Sequence, residues 1–380
     1  MFKFLSALVL ASTLANQLQA CSFCSGGLID RGTLREQALK ADAIVLGTLK
    51  NAKIGEDIRT GTTEFHFDDI VKSGPDFKPT KMIVLPRYIP TPGGPADSQL
   101  FLFGTVDGKT DIVASVPGSP ALAAYVRSVV KLKDQPVATR LGFFFLHLDS
   151  TDSTIAADAF TEFAKATDAE ILSSKAGWKP AVLRQFLTDP KTPVERLGVY
   201  AMLLGLGDDR ESVPLLAKSL SGALSDRVAA NLGGYLAGYV LLDAKAGWKC
   251  LGEIVHDGQR PFELRLSAIN AVRYFQANRP VESKTEVLSC YRELLSNPDF
   301  ADVALDDLRR WGWWDLTADV LAQYGKPTHT APIIRNGIIR YALTCADADC
   351  RKFVGTLRTS DAKLVARVEE SLKLLELPKK

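Results

Sequence analysis

KAGWK stands at Lys175–Lys179 and again at Lys245–Lys249, 70 positions further along the chain. The residues after each copy explain the recurrence. After Trp178 come four stretches with apolar residues at three- and four-residue spacing: Pro180–Leu187, Pro193–Leu204, Ser212–Leu220 and Asp226–Leu242. After Trp248 the series returns as Cys250–His256, Pro261–Phe275, Glu282–Leu295 and Ala301–Trp311. After Trp314 it returns again as Leu316–Tyr324, Pro332–Leu343, Cys350–Leu357 and Lys363–Leu375. Each block spans 65–70 residues and holds two helical hairpins, so the unit is about 35 residues, the period of an α-solenoid. KAGWK therefore reads as a joint between blocks, where the large apolar face of Trp covers the junction, and not as a ligand site.

A second register runs beside the first. Pro193, Pro261 and Pro332 each open a helical stretch, the position at which a missing backbone N–H costs least. Arg196, Arg265 and Arg335 follow three or four residues later. In this pairing the region 175–380 resembles HEAT-type repeats, whose second helix often carries such a basic position.

Upstream the period changes. Between Ala41 and Val116 the pattern is short, β-branched and punctuated by turns, and five strands are expected at Ala43–Leu49, Thr63–Val71, Lys81–Tyr88, Gln99–Val106 and Asp111–Val116. A helix near Thr33–Ala41 leads in, and RYIPTPGGPA (Arg87–Ala96) excludes regular structure. In the second strand Phe65 and Phe67 share one face, with Glu64, His66 and Asp68 on the other. Five short strands suit a small closed or partly open barrel. The mature N-terminal Cys, ADAIVLGTL and the LFLFG strand resemble the netrin/TIMP-type module, an OB-like barrel. In TIMP-type inhibitors the N-terminal Cys ligates the zinc of a metalloprotease. This chain departs from that pattern, opening Cys21-Ser-Phe-Cys24 with no further Cys before Cys250.

The first residues carry an address. Lys3 precedes an apolar run from Phe4 to Leu14, and Leu18-Gln-Ala20 precedes Cys21, the layout of a signal peptide over 1–20. Cys21 then begins the mature chain, either as a lipid attachment site or in a disulfide with Cys24. The protein is expected to be exported to the periplasm or beyond, with membrane contact only through an N-terminal lipid. Cys345 and Cys350 enclose a short polar turn and suggest a local disulfide, whereas Cys250 and Cys290 either pair or are simply buried. The net charge is +2, falling to +1 without Lys3, and no basic block is present, which argues against a nucleic-acid partner.

The expected organisation is thus mainly α: a signal peptide over 1–20, a small OB-like β domain over 21–116, a helical connector over 117–174, and a HEAT-like α-solenoid over 175–380. From ACSFCSGGL to DLRRWGWWDLTADVLAQYGK the chain also resembles exported HEAT-like-repeat proteins of planctomycete-type bacteria, a resemblance that implies no activity.

Catalytic constellations do not emerge. His66, His147, His256 and His329 lie more than sixty residues apart and form no HxxxH or HExxH pair. No Gly-x-Ser-x-Gly elbow nominates a nucleophile, and Gly205-Leu-Gly207-Asp-Asp reads as a helix-ending turn. No catalytic, cofactor or metal residue is assigned. The leading expectation is a non-catalytic cell-envelope protein that binds a protein or peptide partner along a solenoid surface. Trp311, Trp313 and Trp314 are the candidate partner surface, aromatics being enriched in interaction hot spots. The alternatives are a thiol-redox or metal-binding protein using Cys21 and Cys24, or a TIMP-like protease-binding module.

Overall fold

The computed structural model describes residues 32–56, 60–75, 77–78, 80–106 and 109–375. The expected signal peptide, and Cys21 and Cys24 with it, lie outside the described residues. The chain divides into two compact units between Val182 and Leu183.

The first unit is built on five antiparallel strands: β1 (Ala43–Lys53), β2 (Thr62–Ser73), β3 (Met82–Leu85), β4 (Ser98–Val106) and β5 (Lys109–Pro117), in the order β3-β2-β1-β4-β5. The barrel expectation is corrected here, and the OB-like assignment with it. The sheet is open, because β3 and β5 are its two edges and no ladder joins them. Closure needs a complete ring of backbone pairs. β3 supplies only four residues before Pro86, and Pro90, Pro92 and Pro95 in the following loop have no N–H to donate. A side-chain ion pair, Arg87 Nη2 to Asp111 Oδ1 at 2.7 Å, links the chain beyond β3 to β5.

Alternation along the strands gives the sheet two apolar faces. Val45, Leu49, Phe65, Phe101 and Phe103 form one buried cluster, with Phe65 and Phe101 ring centres 4.4 Å apart. Gly47 makes this packing feasible, since a Cβ there would stand 2.6 Å from the Phe65 ring. The other face buries Ile44, Leu46, Leu100 and Leu102. Two helices, α1 (Leu34–Lys40) and α2 (Pro120–Lys131), lie against the sheet. α1 begins with a capping box between Thr33 and Glu36, and α2 with Ser119 as cap and Pro120 in the first turn. The unit continues through α3 (Val137–Phe145), α4 (Ser153–Lys165) and α5 (Asp168–Ser173), and α6 (Pro180–Thr188) spans the division.

The second unit is wholly helical among its described residues. It runs through α7 (Leu197–Leu206), α8 (Val213–Leu220), α9 (Asp226–Ala229), α10 (Leu232–Leu242), α11 (Ala244–His256) and α12 (Phe262–Asn278). It continues as α13 (Lys284–Ser296), α14 (Ala301–Trp311), α15 (Thr317–Leu321), α16 (Pro332–Thr344), α17 (Ala348–Ser360) and α18 (Ala362–Leu375). From α11 onward the helices pack as consecutive hairpins, α11 on α12 through α17 on α18. Alternate helices also meet: α11, α13, α15 and α17 form one row, while α10 meets α12, α14 meets α16 and α16 meets α18. Pro261 and Ala331-Pro332 stand at helix starts, as their spacing predicts.

α7 and α10 approach closely enough that glycine is required. A Cβ on Gly234 would lie 2.2 Å from the Gly198 carbonyl oxygen, and one on Gly238 would lie 2.2 Å from that of Ala201. Both helices are apolar all round and almost fully buried, the pattern of a core helix. Among the described residues no helix is long and apolar enough to cross a membrane.

Candidate functional site

The two copies of KAGWK adopt different backbones. In the first, Lys175–Gly177 form a single 3-10 turn and Trp178 is extended. Pro180 enforces this, because it disfavours the helical conformation at Lys179. In the second, Cys250 occupies the position of that proline, and the whole pentapeptide lies inside α11. Helix is expected from Cys250; it begins six residues earlier because Asp243 caps it, accepting the Ala246 N–H at 3.0 Å.

The tryptophans diverge accordingly. Trp178 is 9% exposed, stacks on Phe145 at 6.1 Å and 16°, and donates its indole N–H to Ser174 Oγ at 3.2 Å. Trp248 is half-buried, its ring 4.9 Å from that of Phe275, and its indole N–H has no hydrogen-bond partner among the described residues. It forms one wall of a cleft of about 500 Å³, with Val240 and Phe275 as the other apolar surfaces. Lys245, Arg279, Glu282 and Glu286 also line the cleft, and none of the four makes an ion pair among the described residues. Ser283 closes the base, its hydroxyl held by the Arg279 carbonyl at 2.7 Å. The same five residues thus pack closed at Trp178 and border an open cleft at Trp248.

The third joint supplies the contrast. Trp314 and Tyr341 follow Trp248 and Phe275 by the same interval of 66 residues, and their ring centres are again 4.9 Å apart. Here the second ring carries a hydroxyl that is engaged within the fold. The Tyr341 hydroxyl lies 3.2 Å from Thr317 Oγ1 and donates to the Trp313 carbonyl at 3.3 Å, and Cys345 replaces the free cation Arg279. Of the expected partner surface, Trp311 packs on Tyr291 at 4.8 Å and on Trp313 at 5.5 Å, and Lys284 lies 5.6 Å over the Trp313 ring while pairing with Asp315. Gly312, with φ of 66°, turns the chain so that Trp311 and Trp313 can meet. All three tryptophans are half-buried and engaged with neighbours.

The expected disulfide is corrected. Cys345 and Cys350 are both free and buried, as is Cys290, and half-buried Cys250 is free as well. Cys345 caps α16, and its sulfur accepts the Asp347 N–H at 3.4 Å. Burial, with a hydrogen bond to Cys345, pushes the Cys350 thiol up to about 12; burial does the same at Cys290. These thiols serve as small apolar groups.

Titratable clusters elsewhere are structural. Asp158, pushed up to about 6 by burial, accepts the Leu34 N–H at 2.6 Å and the Tyr125 hydroxyl at 2.7 Å. Glu162 accepts a forked pair from Arg35 at 3.0–3.1 Å, and Lys165 pairs with Glu36 at 2.5 Å. Both carboxylates tie α1 to α4. Asp307 likewise takes Arg273 Nε and the Tyr291 hydroxyl, each at 2.7 Å. His329 is satisfied at both nitrogens by Thr328 and the Leu295 carbonyl, and His66 pairs with Glu64 at 2.8 Å. No three His, Cys, Asp or Glu side chains gather as metal ligands among the described residues.

Sequence reading misses Lys245, Arg279, Glu282 and Glu286, because charge on a helix end carries no sign of whether it will be paired. The nearest signal is the Trp interval itself, with Arg279 in one joint and Cys345 in the next. No protein-family model matches the chain, and a search of curated proteins finds no match.

Proposed function

We propose that the chain is a binding protein whose helical second unit holds a peptide segment in the cleft beside Trp248. One observation carries this reading: an indole with a free N–H stands on an aromatic wall, ringed by two cations and two carboxylates that pair with nothing else among the described residues. A peptide offers what each group lacks. Its carbonyl oxygens accept from the indole, an apolar side chain covers the Trp248 and Phe275 faces, and its charged groups pair with Lys245 and Arg279 or with Glu282 and Glu286. Aromatic residues in partly desolvated pockets dominate such recognition, and a volume of about 500 Å³ is ordinary for it. The reading contains no chemical step. The amino-terminal layout of a signal peptide supports placing this binding outside the cytoplasm.

Panning the full chain against a random dodecapeptide library tests the proposal. Enriched peptides should bind the wild type saturably and lose about tenfold in affinity on Trp248→Ala, with helical circular dichroism unchanged. Failure to enrich any peptide, or equal binding by the variant, overturns it.

A further inference from the structure

A second cleft, remote in sequence from Trp248, is lined by a buried tyrosine whose hydroxyl has no partner among the described residues. It encloses about 460 Å³ within the second unit, where the end of α6, the start of α7, α8 and α9 meet α10. Leu187, Leu197 and Leu215 give it apolar walls. Tyr235 on α10 lies beneath them, 2% exposed, and its hydroxyl makes no hydrogen bond among the described residues. The hydroxyl of a buried tyrosine normally finds a hydrogen-bond partner. Its oxygen is not sealed from solvent, so whatever satisfies it must come through the cleft.

The charge around that hydroxyl is positive. The Arg227 guanidinium donates to the carbonyls of Pro190, Asp189 and Thr192 at 3.0, 3.2 and 2.7 Å, and meets no carboxylate among the described residues. Those contacts fix its position and leave its charge uncompensated. Lys218, at the rim, is exposed and also without an ion pair among the described residues. The one carboxylate on the wall, Asp189, accepts the Lys191 N–H at 2.8 Å. Burial raises the Tyr235 hydroxyl to about 12 while Arg227 pulls the other way, so the phenol stays protonated and acts as a donor at neutral pH.

We infer that this cleft is a binding site for a small amphipathic monocarboxylate, whose carboxylate accepts from the Tyr235 hydroxyl and faces Arg227 and Lys218 while its hydrocarbon part lies along the leucines. A neutral apolar ligand would leave both the hydroxyl and the cations unanswered. A polyanion would find too little charge.

Isothermal titration of the full chain with decanoate and, separately, with decanol tests this. Decanoate should bind at one saturable site, more weakly as salt is raised, and decanol should bind at least about tenfold less tightly. Tyr235→Phe should weaken decanoate about tenfold, and Lys218→Ala severalfold, while binding at the Trp248 cleft is unchanged in both. Lys218 is exposed, so its variant reports even if Tyr235→Phe fails to fold. Absence of saturable decanoate binding, equal affinity for decanol, or indifference to both substitutions would sink the proposal.

Discussion

The joints at Trp178 and Trp248 share five consecutive residues and a phenylalanine beside the indole, yet they close differently. At Trp178 every polar atom of the tryptophan side chain is answered and the ring is stacked away. At Trp248 the N–H is free and the surrounding charges are unpaired among the described residues. The difference comes from the flanks. Pro180 breaks the first copy out of helix, whereas Asp243 before and Cys250 after let the second run on as α11. A local sequence thus fixes what a joint is made of, and its neighbours fix whether it closes.

The largest test removes the rings. Trp178→Ala should destabilise the protein by about 4 kcal/mol, read as a denaturation midpoint, because it empties a nearly sealed site. Trp248→Ala should cost clearly less and act mainly on binding. Next, Cys250→Pro imposes the first copy's flank on the second. A proline inside α11 removes a helical hydrogen bond and should cost about 3 kcal/mol, with the Trp248 cleft lost.

Asp158 is a buried carboxylate in the first unit, and it gives a pH signature. Its folded value, about 6, lies above the ordinary carboxylate range because of burial. The folded state therefore holds the proton more tightly than the unfolded chain. This contribution to stability is complete below about pH 4 and is lost as pH rises through about 6, by about 3 kcal/mol. Urea midpoints of wild type and Asp158→Asn should diverge in slope across that window and run parallel above it.

Smaller substitutions sharpen the contrast within the pentapeptide. Gly247→Ala places a Cβ 2.5 Å from the Val240 backbone and should cost about 2 kcal/mol, more than alanine gains in a helix. Gly177→Ala meets only Gly142 at 3.8 Å and should stay within about 0.5 kcal/mol of wild type. Comparable in size is Tyr341→Phe, which gives the third joint the ring of the second. Losing the bonds to Thr317 and Trp313 should cost about 1 kcal/mol.

How much of this is legible in the chain varies by type of interaction. Helix starts at Pro261 and Pro332 and the strand of ADAIVLGTL are local, and hydrophobic period with proline placement reveals them. Closure of the sheet is not local. It depends on whether β3 can reach β5, and the short run before Pro86 decides that only once the strand order is known. The glycines of NLGGYLAGYV signal close helix approach, and Gly234 against Gly198 realises it. Cys345 and Cys350 look paired by spacing, yet spacing says nothing of burial. Tyr235 and Arg279 matter for what they lack, and no pattern of letters records a missing partner.

The contact between α7 and α10 has a consequence for how the protein can change over generations. Gly205, Gly234 and Gly238 stand where another backbone or side chain occupies the space a larger residue would need. Those positions are closed to substitution by any larger residue while the helices keep their distance. The cleft walls around Trp248 and Tyr235 carry no such restriction. Among descendants of this chain, drift should spare the glycine seam and concentrate on the clefts, so that ligand preference diverges long before the fold does.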